Sequence, residues 1–328
     1  MAGKLRIGFI GAGGIAVGHY HRIHETKKAV VAALTDPSDA SLKRFYQHCP
    51  GADKLPVYND YKDMLKKEAL DGVVILSPHT VHYEQINVSL GKGLHVLTEK
   101  PMVCTIRHAK ALIKKAKQVN RTLMISYQRH YEPPFRYMRA QIQKGALGEI
   151  EFVQAVLSQE WLRATRNTWR QTMELSGGGQ LNDSGSHLVD ILMWMTGMKV
   201  KTVSAFQVNF DVPVDINATL AMVFENGALG SLSIIGNAPG WYEDHTIVGG
   251  KGALYLRQGL GLSQQNAVGK PVKVTLPKYN KNPDSNFIEV MLGKAEPETP
   301  PECGLRVIEV TEAAWKSAAA GGKPVRVP

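Results

Sequence analysis

Three groups of residues in this chain are of types that do chemistry. The first is Glu99-Lys100-Pro101, which closely follows the apolar run Leu94-His95-Val96-Leu97. In a doubly wound sheet, ligands bind beyond the carboxyl ends of the strands, so a lysine held at a strand end by a following proline faces whatever is bound. On its own the tripeptide also fits a solvated turn. The second is the run Gly177-Gly178-Gly179 to Asp190, in which three glycines form a flexible approach and Asp183 and His187 stand four residues apart, on one face of the helix that begins there. A histidine there can take a hydroxyl proton near neutral pH, and a carboxylate one turn away can orient the imidazole or the substrate. An N-cap aspartate with a satisfied core histidine accounts for the same pattern. Adding Asp190 raises the idea of a metal, but no further His or Cys cluster completes a ligand set, so no metal is expected.

The third group is Arg129, Trp161, Arg163, Trp169 and Arg170, preceded by Gln128 and joined by Arg166. Aromatic faces cover the C–H surfaces of a polyol or sugar while guanidinium groups donate to hydroxyls or carboxylates. An interface or loop-anchoring role suits the same residues equally.

The elements that must position these groups are legible in the first 127 residues. Strand candidates Leu5 to Ile10, Val30 to Thr35, Val73 to Ser77, Leu94 to Leu97 and Thr122 to Ser126 alternate with helical stretches, which predicts a parallel sheet with helices on both faces. Asp60 and Thr105 are candidate N-caps. After the first strand comes Gly11-Ala12-Gly13-Gly14-Ile15-Ala16, a G-x-G-x-x-A form of the dinucleotide fingerprint. Gly11 permits the tight turn, Gly13 lets backbone approach a pyrophosphate at the helix N-terminus, and Ala16 lets the helix pack on the strand. Asp36, at the end of the next strand, would hydrogen-bond the adenosine ribose and repel a 2′-phosphate. NAD is therefore expected rather than NADP, with Lys43 and Arg44 nearby keeping NADP open.

Beyond Pro133-Pro134 the pattern changes. A helix from Phe135 to Lys144 is followed by alternating runs at Glu151 to Trp161, Val200 to Phe210, Asn217 to Glu225 and Ala228 to Ile235, the grammar of an open, mostly antiparallel sheet. A helix over Asp183 to Met195 is embedded between the first two of these strands, and an amphipathic helix runs from Leu305 to Ala320. Two domains are expected: residues 1–127, and residues 128–328 for substrate binding and oligomerisation, with the helix at about 305–320 a candidate to pack back on the first. The open face of the second sheet must be covered, which favours a homodimer or homotetramer packed sheet to sheet.

The chain has 328 residues, enough for two cores, and 44% hydrophobic with 21% charged residues is ordinary for a folded protein. The net charge of +10 fits an anionic cofactor, an acidic substrate or nucleic acid. The densest basic cluster, Lys114, Lys115 and Lys117, reads as a solvated helix face, so no nucleic-acid partner is expected. No apolar run approaches the ~20 residues of a membrane span. The first apolar run breaks at Gly11, too early for a signal peptide. Cys49, Cys104 and Cys303 form no ligand spacing and point to a reducing compartment, so a cytoplasmic location is expected.

Taken with Ser77-Pro78-His79-Thr80-Val81-His82, Trp169-Arg170 and Gly304-Leu305-Arg306-Val307, these motifs resemble, over essentially the whole chain, the Gfo/Idh/MocA family of NAD(P)-dependent oxidoreductases, the glucose–fructose oxidoreductase and inositol dehydrogenase type. The resemblance implies a Rossmann domain, a second domain on an open antiparallel sheet, and a site between them. It places Gly11, Ala12, Gly13, Gly14, Ile15, Asp36, Ser77, Pro78, His82, Glu99, Lys100 and Gln128 at the cofactor, and Asp183 and His187 at the substrate. It also implies a cis bond before Pro101. Many relatives carry Asn-Arg-Arg-Phe where this chain has Gln128-Arg129-His130-Tyr131, which leaves the substrate class open.

The expected reaction is hydride transfer between a secondary alcohol of a sugar or cyclic polyol and the nicotinamide. His187 takes the hydroxyl proton, Lys100 stabilises the alkoxide, and Asp183 orients His187 or binds a neighbouring hydroxyl. A lysine desolvated beside a cationic ring could instead accept the proton itself. Two other classes stay open at this stage: an NAD-dependent glycosidase acting by transient oxidation and elimination, and a non-catalytic dinucleotide-binding regulator.

Overall fold

A computed structural model describes residues 3–328. The chain divides into two compact units: Met1–Val103 with Arg107–Gln128 and Lys281–Leu305, and Cys104–Ile106 with Arg129–Asn280 and Arg306–Pro328.

Among the described residues the first unit holds six strands: β1 (Leu5–Ile10), β2 (Ala29–Thr35), β3 (Val57–Tyr58), β4 (Gly72–Ile75), β5 (His95–Thr98) and β6 (Leu123–Ile125). Every pairing is parallel and the order is β3-β2-β1-β4-β5-β6, the doubly wound order with its reversal between β1 and β4. Both faces of such a sheet are covered, which is why β4 and the last four residues of β1 are wholly buried and read as unbroken apolar runs. Helix α1 (Gly14–Glu25) follows β1 and buries Ala16, His19, Tyr20 and Ile23, one stripe at helical spacing.

The stretch Lys281–Leu305, which the sequence assigns with the second domain, groups with this first unit. Its helix, Pro283–Met291, starts on an Asn282–Ser285 capping box and buries Phe287 and Ile288 in the same core as Phe9 and Leu34. The element is short and remote in sequence from the strands it covers, so periodicity alone cannot assign it.

The second unit contains a nine-stranded sheet. Its strands are β7 (Ile150–Glu160), β8 (Val200–Val208), β9 (Asn217–Phe224), β10 (Leu229–Ile235), β11 (Asn237–Gly249), β12 (Gly252–Arg257), β13 (Gly261–Asn266), β14 (Pro271–Val272) and β15 (Val325–Arg326). The order is β14-β13-β12-β11-β7-β10-β9-β8-β15. All pairs are antiparallel except β7 with β10, which run parallel from Phe152↔Leu229 to Ser158↔Ile235. In β9 Ala218, Leu220, Met222 and Phe224 are buried while Thr219, Ala221 and Val223 are exposed, so one face is covered and the other open. The helix Gly185–Thr196 lies on the covered face against β7 and β10. Strand β11 has no clear signal in the sequence, because Pro239 and Gly240 interrupt it and its ladder with β7 slips between Asn237 and Tyr242.

The glycine run ahead of that helix is close-packed rather than a flexible approach. Gly177 ends a short helix with φ 65°, and Gly178 and Gly179 are buried. A Cβ on Gly179 would lie 1.9 Å from the Asp215 carbonyl oxygen, and one on Gly178 would lie 2.4 Å from Trp315. The Asp215 carboxylate gathers the loop, accepting the N–H groups of Gly179 (3.0 Å) and Leu181 (2.8 Å) and the Trp315 indole N–H (3.3 Å). Gly179→Ala should therefore lower stability in urea or thermal unfolding by about 1–3 kcal/mol or more, because backbone must move. Gly14→Ala, whose Cβ meets nothing within 4 Å, should stay within about 1 kcal/mol of the parent in the same experiment.

Candidate active site

The first unit carries the cofactor motifs. Gly11 turns the chain at φ 104°, and a Cβ there would come within 2.9 Å of the Leu76 carbonyl group. The Asp36 carboxylate is fixed at the end of β2 by two backbone donors, Ala12 N–H at 2.7 Å and Ser38 N–H at 2.8 Å. A carboxylate has about four lone-pair sites, so it keeps capacity for a ribose hydroxyl. Side chains added at Gly13 and Gly14 would enter open space, and Gly13 caps α1 without a side-chain bond. The first-turn N–H groups of α1 thus lie beside open space, where a pyrophosphate can approach the backbone, and these residues fit a dinucleotide. Ile15 is exposed on that first turn.

On the other side of the strand reversal, Glu99-Lys100-Pro101 leaves the end of β5. The Glu99 N–H donates to Ile75 O at 2.8 Å, and Ile75 stands beside Ile10 in the sheet, so the tripeptide lies two strands from the fingerprint turn. The Lys100–Pro101 bond is cis, as the resemblance implies. His82 is wholly buried, its Nδ1 at 2.9 Å from Pro101 O and its Nε2 at 3.0 Å from Ser77 O. It therefore braces the loops after β4 and β5, and burial pushes its imidazolium down. Ser77 donates its hydroxyl to Gln85 at 2.5 Å, Pro78 leads into the turn before the next helix, and Gln128 is exposed.

Glu99 has partners that the sequence reading missed. Its carboxylate accepts from His19 Nε2 at 3.0 Å, while His19 Nδ1 meets Asp284 Oδ1 at 2.6 Å and Arg22 Nε donates to Asp284 Oδ2 at 2.5 Å. Burial alone would push the His19 imidazolium down, but Asp284 and Glu99 overcome it and raise it to about 9. Burial would likewise push Glu99 up, yet His19, then Lys100 and Ser126, hold it down at about 2. The available signal was a histidine on the otherwise apolar buried stripe of α1.

The second unit carries Asp183, His187 and the arginine–tryptophan group. The helix starts at Gly185, so Asp183 lies in the turn ahead of it rather than on its face, while His187 is in its first turn. Asp183 Oδ2 accepts from Trp161 Nε1 (3.0 Å) and Arg170 Nε (3.1 Å), and the Arg170 guanidinium sits over the Trp169 ring at 4.5 Å. Four residues named from sequence thus gather at one carboxylate. Asp183 is 4% and His187 8% exposed.

Two other arginines are used differently. Arg163 pairs with Glu160 three residues earlier, with 69% of its side chain exposed, a solvated surface pair. Arg129 is buried in a two-pronged salt bridge to Glu243, which also accepts from His245 Nε2 at 2.9 Å; Arg129 Nη1 and His245 Nδ1 lack hydrogen-bond partners. Asp190 meets His130 Nε2 at 2.6 Å, and that ring lies against Trp194.

Comparison with known proteins agrees with both units. Residues 5–127 match the family model described as oxidoreductase family, NAD-binding Rossmann fold, and residues 135–255 match the GFO/IDH/MocA C-terminal domain. Rhizopine catabolism protein MocA of Rhizobium meliloti is 29% identical over 197 residues, 60% of this chain and 58% of that protein. D-glucoside 3-dehydrogenase of Escherichia coli (strain K12) is 29% identical over 208 residues, 61% of this chain and 57% of that protein. The matches thus span less than two thirds of these relatives' length. The structure of levoglucosan dehydrogenase in complex with NADH and levoglucosan superposes with a TM-score of 0.88 at 19% identity, covering 99% of this chain and 100% of that one, a likeness of fold. Matched in order by both models of one family along most of its length, the chain belongs to the Gfo/Idh/MocA oxidoreductase family.

Proposed function

We propose that the protein is an NAD-dependent oxidoreductase acting on a secondary alcohol of a sugar, sugar derivative or cyclic polyol. The observation that carries this reading is the placement of Glu99-Lys100-Pro101 at the end of β5, two strands across the reversal from the fingerprint turn. In a doubly wound sheet the second half of the strands receives the second nucleotide of a dinucleotide, so this lysine belongs with the nicotinamide. The names of the relatives, a glucoside dehydrogenase and a levoglucosan dehydrogenase among them, support the substrate class. Asp36, whose negative charge is fixed at the ribose end, favours NAD over NADP.

When bound, the nicotinamide supplies the hydride acceptor. The Lys100 ammonium holds the reacting oxygen and stabilises the alkoxide as it forms. His187 takes the hydroxyl proton, and Asp183, oriented by Trp161 and Arg170, aligns the imidazole or a neighbouring hydroxyl. Trp169 and Arg170 offer the aromatic face and the donors that a polyol requires. A homo-oligomer is supported by Phe152, Leu229 and Val223, which stand in register across β7, β10 and β9 and are all exposed. A cytoplasmic setting is supported by the absence of any disulfide among the described residues. No helix among them is long and apolar enough to cross a membrane.

A panel of sugars, sugar acids and inositols, followed by absorbance of NADH, identifies the alcohol. With that substrate, Lys100→Met should lower kcat by about 10²–10³-fold while leaving NAD affinity nearly unchanged, and surviving turnover would overturn the lysine's role. His187→Asn should cost about 10²–10⁴-fold. Asp36→Ser should shift the NADP-to-NAD ratio of kcat/KM by about tenfold or more toward NADP; an unchanged ratio would show that another residue sets the preference. Leu229→Glu should shift the mass measured by light scattering toward the monomer, unless the sheet face is not the contact.

A further inference from the structure

Four charged side chains of the first unit stand in one line of alternating sign: Arg22, Asp284, His19 and Glu99. The interior members are sealed, with His19 and Asp284 both 0% exposed, while Arg22 reaches solvent at one end. Glu99 closes the other end next to Lys100. A salt bridge that only fastened α1 to the helix Pro283–Met291 would need Arg22 and Asp284 alone. His19 extends it by one bond on each ring nitrogen, and the second bond goes to a residue of the Glu-Lys-Pro loop.

We propose that His19 is a positioning residue: clamped between Asp284 and Glu99, it holds the Glu99 carboxylate as a fixed anion at the nicotinamide half of the cofactor site. The inference rests on the reading that this unit binds NAD. A neutral imidazole can donate to only one of two flanking carboxylates, whereas the imidazolium donates to both, which is what the two short contacts require. The groups facing Glu99 are His19, Lys100, Ser126 and, at longer range, His82. Those facing His19 are Glu99 and Asp284, the latter backed by Arg22. With this set in place Glu99 stays ionised across the neutral range, and a fixed anion favours the oxidised, cationic ring over the neutral reduced one.

The experiment measures dissociation constants for NAD and NADH, by NADH fluorescence and by displacement, across pH in the full-length protein without any alcohol. In the wild type the NADH-to-NAD ratio of dissociation constants should be flat between about pH 6 and about pH 8, since Glu99 is held at about 2 and His19 at about 9. In His19→Gln, Glu99 loses the cation hydrogen-bonded to it and keeps only Lys100, its burial raises its pKa, and the ratio should fall by about tenfold as pH drops through the same window. Glu99→Gln should lower the ratio at every pH and leave it flat. A ratio in folded His19→Gln that matches the wild type at all pH values, with only a lower melting temperature, overturns the proposal and leaves the line of charges a structural staple. So does a Glu99→Gln ratio like the wild type's. Should His19→Gln fail to fold, Asp284→Asn, which keeps the imidazole but removes one of its anions, gives the same pattern in smaller measure or overturns the proposal by not doing so. Failure of NADH to bind the wild type overturns the underlying reading as well, whereas turnover surviving in Lys100→Met overturns only the lysine's role.

Discussion

A charge removed from water must be met by its opposite at hydrogen-bond distance, and much of this structure is arranged by that requirement. Desolvation costs several kcal/mol per ion, and taking away one partner of a buried pair costs about 3–5 kcal/mol because the other is stranded. The first unit therefore keeps buried Glu99 ionised chiefly through His19, and buried His19 charged chiefly through Asp284. Satisfying that chain brings together the fingerprint helix, the loop after β5 and the helix Pro283–Met291. Pieces more than 180 residues apart in sequence are joined by charge as much as by the apolar core around Phe287.

The second unit uses carboxylates in the same way, with backbone N–H groups joining the side-chain partners at Asp215. Asp215 is pushed up by burial and is held by two backbone N–H groups and an indole, and so it fixes the glycine loop that delivers Asp183. Glu243 sits between Arg129 and His245; burial pushes it up, but these two partners bring it down to about 2. Polar groups satisfied in this way rigidify what surrounds them, and half-satisfied ones are costly. Asp183 is therefore carried on a loop whose glycines are required by close approach, and His187 follows on the first turn of the helix.

Sequence was most informative where the chemistry is local. The fingerprint, Asp36, the Glu-Lys-Pro turn and the alternation of strands and helices depend on neighbours a few residues away, and the structure places each of these elements within a residue or two of the range read. It was least informative where partners are remote. Nothing near Arg129 in sequence announces Glu243, and nothing near His19 announces Asp284, so Arg129 reads as a ligand and His19 goes unnoticed. Arg163 is ambiguous for the opposite reason, because its partner Glu160 is close but neither periodicity nor composition distinguishes a surface pair from a binding group. The same blindness to distance hides β11, whose bulged and charged sequence forms a strand only because β7 and β12 flank it.

The parallel pairing of β7 with β10 also bears on how the sheet can form. Strands β8, β9 and β10 follow one another as neighbours, and so do β11, β12 and β13, so each set can assemble from contacts close in sequence. Strand β7 belongs to neither set, yet it lies between them, bonded to β10 on one side and β11 on the other, with 68 residues of chain separating it from β10 and 76 from β11. Closing so long a loop exacts its entropy before any ladder bond repays it, and topology of this kind slows folding. Two locally formed ribbons waiting for one distant strand make β7 the seam on which completion of the second unit depends.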